Sequence, residues 1–324
     1  MHFISKKGRV KVVLLIALVV ICNVAEAQDG RILSKTPFLL DSGVFKEFAR
    51  YNVQFSSKLK QIDFYRIIYI SDGLKVTAYV AEPKAKGKYP CIISNRGGNR
   101  ELGQWDTVAL AYNLGRMASW DYVVIATQYR GNDGGEGKED LGGKDLDDVL
   151  NLVPVLAQWP DADTSRIGIE GTSRGGMMTY LALRSSCRFK AAVVNSGLAN
   201  VFTQIKNRPD MDTFVFAELI PDYQTNKTAA LKARSAVYWA DQICKTTPLL
   251  ILQGSSDWRV TAAEALELVQ KLYEAKHPTR FILYEGASHG IREFAAQYFE
   301  ETRRHFDYYL RDGKPMPDME LHGK

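Results

Sequence analysis

Residues 166–180 read RIGIEGTSRGGMMTY, an apolar strand-like run that meets Gly171, Ser173 and the pair Gly175-Gly176 before a helix-like tail begins. Where a strand turns directly into a helix, Cβ atoms on the flanking residues collide, and glycine removes them. The residue between the glycines can then take a strained backbone and project its side chain out of the turn. Gly171-Thr172-Ser173-Arg174-Gly175 is a G-x-S-x-G pattern, common by itself but specific when a strand precedes it and a helix follows. It predicts a sharp strand-turn-helix unit presenting Ser173 as a nucleophile; the plainer alternative is an ordinary turn with Ser173 as a helix cap.

The same alternation extends on both sides. YPCIISNRGG (89–98) precedes the helical pattern DTVALAYNLGRMASW (106–120), and YVVIATQYRG (122–131) precedes KDLDDVLNLVPVLAQW (144–159). AAVVNSG (191–197) follows, then PLLILQG (248–254) with AAEALELVQKLYEA (262–275), and TRFILYEG (279–286) with IREFAAQYFEETRRHFDYYLR (291–311). Short apolar runs separated by helical periods indicate βαβ units, a mostly parallel sheet and helices on both faces. Upstream, QIDFYRIIYISDGLKVTAYVAEPK (61–84) turns at Asp72-Gly73 and predicts an antiparallel pair at the sheet's edge. Two stretches break the rhythm. GNDGGEGKEDLGGKD (131–145) is Gly-rich and acidic; its part GNDGGEGKED (131–140) lacks the spacing of a calcium loop and is expected to be surface. Residues 198–247 lack strand patterning and are expected to form a small cap; their Phe214, Phe216, Tyr238 and Trp239 read as packing, with a pocket lining as the alternative.

A serine hydroxyl is a weak nucleophile until a base takes its proton. In open α/β sheets the working groups gather beyond the carboxyl ends of the strands. Beyond the first 27 residues, His277, His305 and His322 lie before a strand, within a helix and in the tail, whereas His289 follows a strand run in LYEGASHG (283–290). Asp257 follows the apolar run of PLLILQGSSDWRV (248–260) and is the expected acid; Asp133 and Asp145 are its rivals. Ser173, Asp257, His289 is also the chain order nucleophile, acid, base. A tetrahedral oxyanion needs two fixed donors. The backbone N–H of Arg174 is one, and NRGGNRELG (95–103) supplies the other, Gly98 in preference to its neighbour Asn99.

Residues 1–27 carry Lys6, Lys7, Arg9 and Lys11, an apolar stretch from Val12 and the small-residue pattern Ala25-Glu26-Ala27. This predicts a secretory signal peptide cleaved after Ala27 and an exported, periplasmic or extracellular protein with no stable membrane insertion. Cleavage would remove four positive side chains and one negative, lowering the net charge from +5 to +2, so nothing argues for a nucleic-acid partner. The remaining organisation is a leader (28–60), a catalytic domain (61–311) with the cap inside it, and a flexible tail (312–324). Cys91, Cys187 and Cys244 allow at most one disulfide, and Cys91, inside an apolar run, reads as a buried inert thiol. No Cys/His set suits zinc, and residues 131–137 do not make a dinucleotide fingerprint, so no metal or cofactor is expected.

DTSRIGIEGTSRGG (163–176), LLILQGSSDWRV (249–260) and EGASHG (285–290), with TQYRGNDGG (127–135) and LGGKDLDDV (141–149), resemble the catalytic domain of the prolyl oligopeptidase family of serine peptidases over residues 60–310. The resemblance implies an α/β-hydrolase fold with Ser173 as nucleophile, Asp257 as acid and His289 as base. Two departures stand out. About thirty residues lie between the cleavage site and the first hydrolase strand, where many members carry a β-propeller, and residues 97–111 contain no tyrosine to serve as oxyanion donor. The expected activity is that of an exported serine hydrolase acting through an acyl-enzyme on a peptide or small ester. A peptidase is the first reading and a carboxylesterase, dienelactone hydrolase-like or acting on carbohydrate esters, the second; a catalytically silent binding module is the third.

Overall fold

The computed structural model describes residues 28–323; the expected signal peptide lies outside the described residues. Nine strands form one sheet: β1 (Ile32–Pro37), β2 (Ile62–Ser71), β3 (Leu74–Pro83), β4 (Tyr89–Asn95), β5 (Val123–Thr127), β6 (Ala162–Thr172), β7 (Ala191–Asn195), β8 (Leu249–Gly254) and β9 (Thr279–Tyr284). Their order is β1-β2-β3-β5-β4-β6-β7-β8-β9. The first three strands are antiparallel to their neighbours, and β3 also meets β5 antiparallel. From β5 across to β9 all pairs are parallel.

Side chains alternate across a strand, so apolar runs with no alternation must be buried on both faces. Ile93, Val194 and Ile251 join one core, while their chain neighbours Ile92, Val193 and Leu250 join the other. The first core is closed by α3 (Asp145–Leu150), α4 (Leu152–Ala157), α5 (Arg174–Ser185) and α8 (Ala262–Glu274), through residues such as Val149, Val155, Met178 and Leu268. The second is closed by α1 (Ser42–Tyr51), α2 (Val53–Leu59), the helical run 107–118 and α9 (Ala295–Phe306), through Val44, Leu59, Leu114 and Phe306. The cap carries α6 (Val201–Asn207) and α7 (Tyr223–Ala233). No helix among the described residues is long and apolar enough to cross a membrane.

The leader is more structured than its sequence suggests. β1 adds an outer strand to the antiparallel edge, pairing Lys35 with Ile67. Five of its six residues are exposed, so it has no buried face to reveal as a pattern, and Pro37 is tolerated because an edge strand needs no donor on its outer side. Asp41 and Asn52 cap α1 and α2, and Phe55 and Leu59 enter the core. At the other end residues 312–323 form no helix or strand, although Lys276 Nζ reaches the Glu320 carboxylate at 2.6 Å.

A disulfide joins Cys187, just past α5, to Cys244, just before β8, spanning 57 positions. Closing a loop of that length stabilises a domain by roughly 4 kcal/mol in the chain-entropy account. Cys91 is the free, buried cysteine on β4, and burial pushes its thiol up to about 12.

Two other histidines are packed as neutral core groups. His277 meets Thr279 Oγ1 at 2.9 Å and the Cys244 carbonyl at 3.2 Å, and His305 donates from Nε2 to the Pro248 carbonyl at 3.2 Å. Burial lowers both to about 4. Below the ordinary histidine value near 6.5 the unfolded chain takes up a proton that the folded one refuses. Stability from each group is therefore present above pH 6.5 and lost as pH falls towards 4, by up to about 3 kcal/mol. Glu170 and Glu264, raised by burial to about 7 and about 8, act in the opposite sense by favouring the fold at low pH. A difference measurement isolates the histidine: His305→Gln, which keeps a donor for Pro248, should gain stability relative to the parent between pH 7 and 4.5. Parallel melting curves across that range would overturn this.

Candidate active site

Ser173 lies between β6 and α5 with φ 61° and ψ −121°, a conformation that an L-residue holds only when its surroundings enforce it. The sheet register supplies the enforcement: Gly171 is level with Asn95 of β4, and Thr172 with Asn195 of β7. The Ser173 N–H donates to the Asn195 carbonyl at 3.0 Å, and the Ser173 carbonyl accepts from Gly176 at 2.9 Å and Leu198 at 3.1 Å. A Cβ on Gly175 would lie 1.9 Å from the Asn95 carbonyl oxygen, so no larger residue fits while α5 packs this closely on β4.

Asp257, 4 % exposed, sits in the turn after β8. Its Oδ1 accepts from the N–H groups of Arg259 and Val260 at 2.9 and 3.0 Å, and Oδ2 meets His289 Nδ1 at 2.8 Å. Burial works against ionisation of Asp257. The His289 hydrogen bond and charge, with the two N–H donors, outweigh it and hold the carboxyl below the usual range. An ionised carboxylate only accepts, so Nδ1 of His289 carries the proton and Nε2 is left as the basic nitrogen. The loop bearing His289 is fixed from β7's end, where Ser196 Oγ accepts from the Gly290 N–H at 3.2 Å.

Ser173 and His289 line one cavity of about 280 Å³, together with Gly97, Gly98, Asn99 and Arg174. Arg174 opens α5, and the first N–H groups of a helix have no acceptor within it. The Gly98 N–H has no acceptor among the described residues. Gly98 has φ 71°, and a Cβ there would lie 2.0 Å from the Leu102 carbonyl oxygen, so the tight loop requires glycine. Both residues expected to supply N–H donors, Arg174 and Gly98, thus line the same cavity as Ser173.

Several contacts that shape the site were not foreseen from the sequence. The Arg174 side chain, 5 % exposed, donates to the Gly98 carbonyl at 3.1 Å, pairs with Glu139, and reaches Asp145 at 2.5 Å. Its guanidinium lies 4.5 Å from the Tyr129 ring centre. Burial alone would lower the Arg174 pKa, but Asp145 and Glu139 reverse that and keep it charged. Glu139 also accepts from the Arg100 N–H, tying the Gly98 loop to α5. The Gly-rich stretch 131–140 is therefore not merely surface, since its Glu139 is 3 % exposed. Glu139 and Asp145 are buried beneath the turn that holds Ser173 because Arg174 is there to neutralise them. Asp133, the other rival for the acid, instead meets Arg66 and Tyr79 at the antiparallel edge. Arg96 clamps the same loop, donating to the carbonyls of Gly97, Arg100 and Leu102.

From the cap, Leu198, Gln204, Arg208, Met211 and Phe216 face the cavity. Of the four aromatics considered from sequence only Phe216 lines it. Phe214 and Tyr238 are exposed, and Trp239 is buried with its Nε1 donating to the Lys232 carbonyl. Among the described residues no group of three or more His, Cys, Asp or Glu side chains is placed to hold a metal ion.

Residues 108–314 match the prolyl oligopeptidase family. Peptidase YtmA of Bacillus subtilis is 29 % identical over 238 residues, covering 73 % of this chain and 90 % of that protein. Dipeptidyl-peptidase 5 of Porphyromonas gingivalis is 26 % identical, covering 68 % of this chain and 34 % of its own length. Among solved structures, an acylaminoacyl peptidase of Pyrococcus horikoshii superposes with a TM-score of 0.69 at 24 % identity, over 83 % of this chain and 45 % of the other. A puromycin-hydrolyzing peptidase of Mycobacterium tuberculosis gives 0.63 at 25 % identity, over 74 % and 38 %. The chain thus spans about a third of the dipeptidyl peptidase and under half of both solved chains.

Proposed function

The chain belongs to the prolyl oligopeptidase family and is a serine hydrolase with an α/β-hydrolase fold, and from that premise we propose that it is an exported peptidase working through an acyl-enzyme. Ser173 is the nucleophile, His289 its general base and Asp257 the acid that orients the base. The observation that carries this reading is the 2.8 Å contact of Asp257 with His289 Nδ1, which leaves Nε2 basic beside the cavity that Ser173 lines.

The chemistry follows from that arrangement. Nε2 takes the Oγ proton as Oγ bonds to the carbonyl carbon, and the imidazolium is stabilised by Asp257. The carbonyl π electrons move to oxygen, which the N–H groups of Arg174 and Gly98 receive. Collapse expels the leaving amine with the proton from Nε2. Water, deprotonated by the same nitrogen, then attacks the ester carbonyl; the second collapse breaks the bond to Oγ, which takes the proton back from Nε2, and releases the acid product. Export is supported by the leader-like residues 1–27 and by the Cys187–Cys244 disulfide, since such bonds persist in oxidising compartments.

The cavity favours a second reading as an esterase. At about 280 Å³, with apolar Leu198, Met211 and Phe216, it suits a small acyl group. A fluorophosphonate probe should label the protein and not Ser173→Ala; equal labelling of both would remove Ser173 from the mechanism. Run beside p-nitrophenyl acetate, a proline-containing anilide should be cleaved at a comparable rate, and turnover of the ester alone would favour the esterase.

A further inference from the structure

Three arginines line the cavity, and they are not equivalent. Arg174 is neutralised by Glu139 and Asp145. Arg208, which follows α6, and Arg259, in the turn that carries Asp257, form no ion pair among the described residues, and no aspartate or glutamate lines this cavity. They converge on one side chain: the Arg208 and Arg259 guanidinium carbons lie 5.2 and 5.6 Å from the Trp258 ring centre. Trp258 is 64 % exposed and does not itself line the cavity, so the indole holds the two cavity-lining arginines from outside. Deeper, Gln204 is 2 % exposed, lines the same cavity, and its Oε1 is buried without a hydrogen-bond partner.

Two guanidiniums without an ion-pair partner among the described residues, both held at one ring, are positive charges that an anion in the cavity they line would neutralise. Guanidinium groups present planar forks of N–H donors that match a carboxylate, and such charge-assisted pairs are stronger than neutral hydrogen bonds. The unpartnered Gln204 Oε1 is an acceptor and so matches an N–H of the substrate rather than its carboxylate, and Leu198, Met211 and Phe216 offer surface for the methylenes of the acidic side chain.

We propose that Arg208 and Arg259 select substrates whose acyl part carries a carboxylate, such as an acidic amino-acid residue next to the scissile bond. This rests on Ser173 being the nucleophile of a hydrolase. The apolar and polar walls then act together: the cap recognises the length of the side chain and the arginines its charge.

The test compares N-acetyl-glutamyl and N-acetyl-glutaminyl p-nitroanilides, and in parallel the calorimetric binding of N-acetylglutamate and N-acetylglutamine to Ser173→Ala. The glutamyl substrate should have the higher kcat/KM, and N-acetylglutamate the lower Kd, each by about tenfold or more. In Arg208→Gln/Arg259→Gln both ratios should approach one, and in the parent they should shrink as salt is raised. A parent that treats the two side chains alike, or a preference that survives removal of both arginines, overturns the proposal. If fluorophosphonate labelling of Ser173 persists while the preference is absent, only the specificity fails. If labelling is absent, the hydrolase reading fails, and calorimetry still decides whether the arginines hold a carboxylate.

Discussion

Asp257→Asn is expected to lower kcat by about four orders of magnitude while leaving the folding transition nearly in place. The reason lies in which atom faces which. Oδ1 of Asp257 is held by the N–H groups of Arg259 and Val260, so the amide oxygen of the substituted side chain stays there and its NH₂ turns towards His289. Nδ1 must then accept, the imidazole proton moves to Nε2, and the nitrogen that should receive the serine proton no longer has a lone pair to offer. The fold loses little, because the two backbone donors keep their acceptor. Turnover of any chromogenic ester or anilide, measured beside a thermal melt, checks both halves. Activity within about tenfold of the parent would mean that Asp257 is not the acid.

Arg174→Met should destabilise the protein by about 3–5 kcal/mol. The substitution leaves Glu139 and Asp145, 3 % and 0 % exposed, without their counter-charge. A buried pair often adds little net stability, whereas half of one is a strong liability. The triple variant Arg174→Met/Glu139→Gln/Asp145→Asn should therefore recover much of the lost stability. Its activity should stay low, because the Gly98 carbonyl has lost the guanidinium that tethers the Gly98 loop to α5. Urea unfolding and kcat/KM for the three proteins separate the two effects. A single variant within about 1 kcal/mol of the parent would show that the carboxylates find other partners or neutralise themselves.

The groups proposed to carry the chemistry could be picked out in the sequence because their residue types are scarce and their positions follow the strand rhythm. Ser173, Asp257 and His289 each follow an apolar run, and the parallel sheet brings the ends of β6, β8 and β9 to one side. The supports were not legible. Glu139 and Asp145 sit among glycines and lysines, a composition indistinguishable from a solvated loop until Arg174 is placed above them. Gln204 and Arg208 belong to an amphipathic helical pattern in which polar residues usually face water; that they face the cavity is decided by how the cap lies on the sheet. β1 escaped for the converse reason, since backbone pairing alone holds it in place.

The Cys187–Cys244 bond also bears on how such a protein can diverge. It turns β7 and nearly the whole cap into a closed ring whose ends are anchored beside the two strands that flank it. The entropy of closing a ring grows only with the logarithm of its length, about 0.6 kcal/mol for each doubling. Insertions or deletions around Gln204, Arg208 and Met211 would thus reshape what the cavity admits without moving the start of β8, and so without moving Asp257. The cap's share of the cavity can thus be edited apart from the turn that carries Asp257, whereas Arg259, on that turn, cannot.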